Sequence, residues 1–358
     1  MVASPAFLHE LPLAQLKHEF RSANISEHQA QLVFQAMHRH GELDPAHWQA
    51  GSLRYQISAA CKRFLLNQPA LPRLSVDAVH AAQDGTIKLR IRTANGDAVE
   101  SVIIPSPNRV TLCLSSQVGC AAGCTFCHTG TMGLLRNLQA WEILEQYRLA
   151  RQHSPRPISN IVFMGMGEPC HNEENVATAC AILNHDLGAG FSKRHIVVST
   201  AGVGNRIRPF WERGIASLAI SLHATTDETR SAIVPLNRQW NLESLRQILL
   251  SIPWPKRESV TIAYLLLDQI NDTRDDAQRL AEWARGMPAK INLLEFNPYP
   301  GSNFKRASPE RLADFRQWLN DFGVFNTLRH SRGDDVLAAC GQLAVPEAAR
   351  QRLIKSAR

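Results

Sequence analysis

Between residues 87 and 104 the chain reads as a strand, a turn and a strand. Ile87, Leu89 and Ile91 alternate with Lys88, Arg90 and Arg92, the two-residue period of a strand with one face buried. Asn95-Gly96 supplies a tight hairpin turn, and Val99 to Ile104 returns as the partner strand. Upstream the period lengthens. Leu32, Val33, Ala36 and Met37 recur at helical spacing within 29–39, with Ser26 and Gln29 placed as a capping box. Leu11-Pro12-Leu13-Ala14-Gln15-Leu16 opens an earlier helix, and Pro69 and Pro72 bound a linker.

From Val110 onward short apolar runs rich in β-formers alternate with amphipathic stretches. The runs are Val110–Leu114, Ile158–Met164, His195–Ser199, Ser217–Leu222, Val260–Leu267 and Ile291–Phe296. Between them lie helical patterns over 141–150, 174–187, 205–213, 242–250 and 274–285, and 309–322 adds a last helix. Such alternation predicts an α/β fold whose parallel strands are joined by right-handed helical crossovers. The barrel-forming portion has about 240 residues, which suits an open, partial (βα)6 barrel better than a closed eight-stranded one. The expected domains are an N-terminal helical accessory domain (1–72), a linker and β-hairpin connecting element (73–105), the partial barrel (106–345) and a C-terminal tail (346–358).

Composition narrows the class. Among 358 residues 44% are hydrophobic and 20% charged, as in an ordinary globular protein. A net charge of +7 favours a polyanionic partner. No apolar stretch is long enough to span a bilayer, and a cytoplasmic location is expected. There, clustered cysteines point to metal or redox chemistry more than to structural disulfides.

Three of the eight cysteines lie within eight residues, as Cys120-x3-Cys124-x2-Cys127. Thiolates this close on a Gly-containing loop can converge on one metal centre. A structural zinc site takes four protein ligands, and His128 could complete one here. A cubane iron–sulfur cluster can be held by three cysteines, leaving its fourth iron open to a small ligand. In a barrel of this kind ligands bind at the carboxyl ends of the strands, where the cysteine motif begins. Met164-Gly165-Met166-Gly167-Glu168 starts where the second strand ends, and Glu168 there can take an ammonium group.

Taken with their surroundings, these residues identify a family resemblance. Leu112–Gly119 precedes the cysteines and Gly133–Leu138 follows them. Met164–Pro169, Ser221–Ala224, Ile233–Asn237, Arg332–Asp335 and Ala339–Leu343 come after in order. Together they resemble the RlmN/Cfr family of the radical S-adenosylmethionine (SAM) superfamily, enzymes that methylate an adenine carbon in RNA. The resemblance runs from about residue 86 to 345. It implies one 4Fe-4S cluster with an open iron on Cys120, Cys124 and Cys127, and a SAM pocket lined by Gly167, Glu168, Ser199, Ser221, Leu222, His223 and Asn297. It implies further that Cys340 carries the methyl group as S-methylcysteine and that Glu100 accepts a proton. Cys113, thirteen residues after Glu100, would resolve the enzyme–RNA adduct through a transient disulfide with Cys340. The implied partners are rRNA and/or tRNA and a reductant such as flavodoxin, and the implied target is adenine carbon 2, with carbon 8 the alternative. Cys127–Gly133 and Cys170-His171 depart from the family pattern and leave room for a divergent paralogue.

Each residue also has a plainer reading. Glu100 could be an edge-strand carboxylate facing water, and Cys113 a small core residue in the alternating Val110–Leu114. Cys340 follows polar sequence and stands beside Gly341, which suits a mobile, accessible thiol; Cys61, Cys170 and Cys180 read as structural. Lys193, Arg194, His195, Arg206, Arg208, Arg213, Lys305, Arg306, Arg329 and Arg332 are candidates for phosphate contacts. The rival from another class is a non-catalytic iron–sulfur or zinc RNA-binding regulator. An enzyme of thiomethylation is a second rival, though such enzymes usually carry a further cysteine triplet.

Overall fold

A computed structural model of the protein describes residues 7–42 and 57–344. The expected tail at 346–358 lies outside the described residues, as do parts of the N-terminal helical stretch. Helices α1 (Leu13–Ser22), α2 (Glu27–Gln35) and α3 (Ala59–Leu66) open the chain. Strands β1 (Ser75–Ala81), β2 (Ile87–Arg92) and β3 (Ala98–Ser106) follow as an antiparallel meander. Next come β4 (Arg109–Cys113), β5 (Gln117–Gly119), α4 (His128–Met132), β6 (Leu134–Asn137) and α5 (Ala140–His153). Units of strand and helix then alternate: β7 (Asn160–Phe163), α6 (Glu173–Asn184), β8 (Ile196–Thr200), α7 (Gly204–Glu212), β9 (Ser217–Ser221), α8 (Asp227–Ile233) and α9 (Leu242–Leu250). The chain closes with β10 (Val260–Leu266), α10 (Arg274–Ala284), β11 (Ala289–Glu295), α11 (Pro309–Asp321) and β12 (Asn326–Arg329).

One ten-stranded sheet runs β1-β2-β3-β4-β7-β8-β9-β10-β11-β12. It is antiparallel up to β4 and parallel from β4 to β12. The six expected strands are present, each within a few residues of its apolar run, and β12 adds a seventh parallel strand. Residues of β4 and β7 line one cavity together with residues of β11 and β12, so the parallel part curls into a partial barrel. The hairpin is continuous with it: β3 pairs with β4 as Val102 faces Cys113 and Ile103 faces Leu112. Glu100 therefore lies on an interior strand.

The N-terminal helices dock on the outside of α5 and α6. Leu16, Phe20, Val33 and Phe34 are fully buried in the same apolar core as Trp141 and Ile182. Ser26 occupies the N-cap position of α2, but its side chain caps nothing. The Gln29 Oε1 instead accepts the Ser58 N–H at 2.7 Å, and Ser58 caps α3. The expected capping box is thus replaced by a bridge between two helices.

Two histidines in this joint make its stability acid-sensitive. The Nε2 atoms of His9 and His38 are buried without a hydrogen-bond partner. Burial, with Arg148 nearby, pushes His9 down to about 4. Burial, with His9 and His185 nearby, pushes His38 down to about 3. Unfolded histidines titrate near 6.5, so below that pH the unfolded state takes up protons first. The stabilisation is complete above pH 6.5 and is lost progressively between pH 6.5 and about 3. Hydrogen exchange of α1 and α2 is expected to accelerate over this range ahead of the barrel strands, and His38→Phe is expected to flatten the response.

Candidate active site

The cysteine loop is pinned at its base. Gly119, at the end of β5, has φ +78, and a Cβ there would sit 1.9 Å from the Gly133 carbonyl oxygen. Only glycine allows β5 and β6 to close so tightly, and Cys120 N–H then donates to that carbonyl at 3.0 Å. The loop turns back through α4, and Cys120, Cys124 and Cys127 line one cavity of about 160 Å³. Burial pushes the Cys120 thiol up to about 12 and raises Cys124 and Cys127 as well, each opposed by backbone or charged neighbours. In the protein alone these are neutral thiols, and they become thiolate ligands only against a cationic centre.

Three cysteines lining one cavity, Cys120 buried and Cys124 and Cys127 half-buried, suit a cubane cluster. Among the described residues no three His, Cys, Asp or Glu side chains are arranged to hold a single metal ion. The zinc reading finds no ligand set: His128 stacks on Tyr299 with ring centroids 4.7 Å apart.

The same cavity is lined by most of the residues expected around SAM: Gly167, Glu168, Ser199, Ser221 and His223. Gly167, at φ +103, passes so close to Gln117 that a Cβ would meet its side chain at 2.6 Å. Glu168 is buried; its Oε1 accepts the Cys170 N–H at 2.9 Å and its Oε2 the Ala201 N–H at 2.7 Å. These bonds lock the carboxylate to the end of β8, while burial holds its pKa above the usual carboxylate value. Ser199 and Ser221, at the ends of neighbouring strands, share a hydrogen bond of 3.1 Å. His223 lies in the left-handed region at φ 62, a conformation that costs a non-glycine residue of order 1 kcal/mol. Its Nδ1 accepts the Leu265 N–H at 3.1 Å, which leaves Nε2 to carry the proton. Burial, with Arg230 nearby, pushes this imidazole down to about 3, so it is neutral.

Two expected pocket residues are placed elsewhere. The Leu222 side chain packs fully buried in the core between the strands and the outer helices. Asn297 lines a second, larger cavity of about 600 Å³ and donates from Nδ2 to the Cys340 carbonyl oxygen at 3.2 Å. It holds the segment that carries Cys340.

Cys340 borders both cavities, and Cys113 borders the larger one. Cys113 is 6% exposed, and burial, with Cys340 close enough to add to the effect, pushes its thiol up to about 12. All eight cysteines are free thiols, so the expected Cys113–Cys340 disulfide is not formed in this structure. Glu100 is buried, correcting the picture of an edge carboxylate facing water. Lys88 Nζ stands 3.2 Å from its Oε1, and the Ala344 N–H donates to its Oε2 at 3.0 Å. Burial raises its pKa, and Lys88 opposes the rise.

Several arginines expected to meet phosphates are engaged by carboxylates: Arg206 and Arg213 by Glu173, Arg208 by Glu212, Arg306 by Asp334. Lys193 likewise pairs with Glu258. Arg329 is different, bordering both cavities. Arg230 is a buried anchor beside the cavity that sequence reasoning misses. It is fully buried and donates to the carbonyl oxygens of Ala201, Ser221, Leu222 and Trp240 and to Asn237 Oδ1. It thereby ties together the carboxyl ends of β8 and β9, on which Ser199, Ser221 and His223 depend. Its only sequence signal is the neighbouring Ile233–Asn237 motif, which supplies one of its partners.

Comparison with known proteins sharpens this geometry. Residues 114–283 match the radical SAM superfamily. A crystal structure of a radical SAM methyltransferase from Sphaerobacter thermophilus is similar with a TM-score of 0.83 and 37% identity, covering 95% of this chain and 99% of that one. The dual-specificity RNA methyltransferase RlmN of Anaeromyxobacter sp. (strain Fw109-5) is 44% identical over 296 residues, 80% of this chain and 78% of the relative. The RlmN of Paracoccus denitrificans (strain Pd 1222) is 44% identical over 287 residues, 76% of this chain and 73% of the relative. The chain belongs to the RlmN family. It is thus a radical SAM methyltransferase, and the family's α/β fold is the one observed. Membership of the radical SAM superfamily also implies a 4Fe-4S cluster and SAM. No helix among the described residues is long and apolar enough to cross a membrane.

Proposed function

We propose that the protein methylates carbon 2 of an adenine in RNA, in rRNA and tRNA alike, by passing the methyl group through Cys340. The observation that carries this reading is the position of Cys340 on the border between the cavity of the three cysteines and the cavity that holds Cys113. A thiol there can meet SAM on one side and a flipped-out base on the other.

Cys120, Cys124 and Cys127 would hold the cluster, which supplies the one-electron cleavage of SAM that starts radical chemistry. Everything else falls to the chain. Cys340 takes a methyl group on sulfur and carries it to the base, because an electron-poor adenine carbon offers no lone pair to displace it directly. Glu168, Ser199, Ser221 and His223 shape the SAM side, with a neutral imidazole that brings no charge near the sulfonium. Glu100 accepts the proton lost from the adenine carbon. Cys113 attacks the Cys340 sulfur, closing a disulfide as the methylated base leaves; its two oxidising equivalents are the hydrogen atom that SAM cleavage would remove from the Cys340 methyl and the electron that the adduct gives up, and external reduction reopens the disulfide. A small redox protein such as flavodoxin is the fitting electron source, and RNA as substrate fits the net charge of +7 and a cytoplasmic location.

The test is the mass of the peptide carrying Cys340 from anaerobically purified, SAM-supplied protein. A species one methyl heavier, absent in Cys340→Ala and dependent on SAM, is the expected result. An unmodified Cys340 in cluster-loaded protein would overturn the reading. Methylation mapping of RNA with and without the gene then assigns the nucleotide and distinguishes carbon 2 from carbon 8.

A further inference from the structure

The segment carrying Cys340 is held from below by the β2–β3 hairpin, and two of its holds share one ion pair. Lys88 and Glu100 lie on the same face of neighbouring strands, Glu100 opposite Arg90 and Lys88 one diagonal away. Their side chains are 10% and 5% exposed, with Nζ and Oε1 3.2 Å apart. Neither stops at the other. Lys88 Nζ donates to the Leu337 carbonyl oxygen at 3.2 Å, and Glu100 Oε2 accepts the Ala344 N–H at 3.0 Å. The pair therefore grips the segment on both sides of Cys340. Leu337, at φ 53, and Gly341, at φ 85, mark the bends between the two grips. His80 also adds to the positive field at Glu100.

We propose that Lys88 is a positioning residue that couples the charge on Glu100 to the seating of the Cys340 segment. This rests on Glu100 acting as the proton acceptor of the proposed reaction. Before the proton arrives the pair is neutral overall, and both grips are charge-assisted hydrogen bonds. When Glu100 accepts the proton from the adenine carbon, no electrons move and the pair gains one positive charge. The carboxylic acid is then a weaker acceptor for Ala344, and Lys88 loses its counter-charge in a buried place. Both grips loosen at the moment when Cys340 must turn its sulfur toward Cys113. Proton acceptance and loosening of the segment from the hairpin become one event, while Asn297, His128 and Thr129 keep their own bonds to it.

Hydrogen exchange read by mass spectrometry on the full-length, anaerobically purified protein tests this, using peptides within 333–344. Glu100→Gln imitates the neutral acid, and Lys88→Met removes the counter-charge. Each is expected to speed exchange in this segment by on the order of tenfold, with peptides of β4 and α5 unchanged. Lys88→Arg is expected to restore slow exchange. In Lys88→Met the Cys340 methyl should still load, while Glu100, buried without its counter-charge, already holds a proton and cannot accept the one from the adduct, so decay of the covalent RNA adduct slows, a split that a merely structural lysine would not produce. Wild-type exchange rates in both Glu100→Gln and Lys88→Met would overturn the proposal, as would equal loss of methyl loading and adduct decay. If wild-type Cys340 never carries a methyl group, the functional reading fails by that observation, while the exchange data still judge the grip.

Discussion

Replacing Cys113 with alanine is expected to leave the enzyme covalently joined to its RNA. Cys340 should still take its methyl group and still add to the base, because neither act uses the Cys113 sulfur. Without the attacking thiol the adduct has no exit, and multiple turnover should fall by about a thousandfold or more. A protein–RNA species that resists denaturant and collapses on nuclease digestion is the measurement. The structure makes this substitution informative, because Cys113 sits at the end of β4 facing the larger cavity. Its loss removes one sulfur from a cavity wall and leaves the β4 ladder intact, so folding should change little. The thiol is weakly acidic at rest: burial pushes it up to about 12, while Arg329 and the Met164 N–H favour the thiolate. Thiolate attack therefore gains from any positive charge that arrives with the adduct. Normal turnover in Cys113→Ala would return this residue to the plain role of filling core.

The second large effect belongs to Arg230. Arg230→Met is expected to destabilise the barrel by about 3 kcal/mol or more, measured as a drop in the denaturant midpoint at unchanged slope. Its guanidinium reaches five acceptors from one point in the core. Methionine fills much of the volume and leaves those acceptors dry and unpaired. Lysine keeps the charge but lacks the planar fork, so Arg230→Lys should recover only part of the loss. Because Ser221 and Leu222 are among the acceptors, SAM binding by the surviving folded protein should weaken too.

Much of this architecture is legible in the amino-acid sequence itself. The six apolar runs from Val110 to Phe296 correspond to the six leading barrel strands, because a strand buried on both faces has to be written in continuous apolar residues. The hairpin shows itself through the alternation at 87–92 and through Asn95-Gly96. Four strands escape such a reading, the short pair β5 and β6 of the cysteine loop and both edges of the large sheet. Asn326-Thr327-Leu328-Arg329 has one apolar residue and forms β12 because β11 offers it a ladder. Ser75–Ala81 is mostly exposed and forms β1 on the other edge. The cysteine triplet and Glu168 announce their cavity because their spacing is local. Family resemblance assigns Asn297 to the SAM side, but its contact with Cys340 spans 43 positions in the chain. Lys88 looks like the polar face of a strand, and its partner carbonyl lies 249 residues away. Side-chain roles built on such separations leave no periodic trace.

The cover over the cysteine loop has a timing of its own. His128 N–H donates to the Gly341 carbonyl, and Thr129 Oγ1 donates to that of Leu343, 214 residues further along. A ribosome making about 5–20 residues per second needs some 10–40 s to travel between them. During that interval Cys120, Cys124 and Cys127 have been translated while their cover has not. The three cysteines are thus without this cover on the nascent chain until the polypeptide that bears Cys340 emerges.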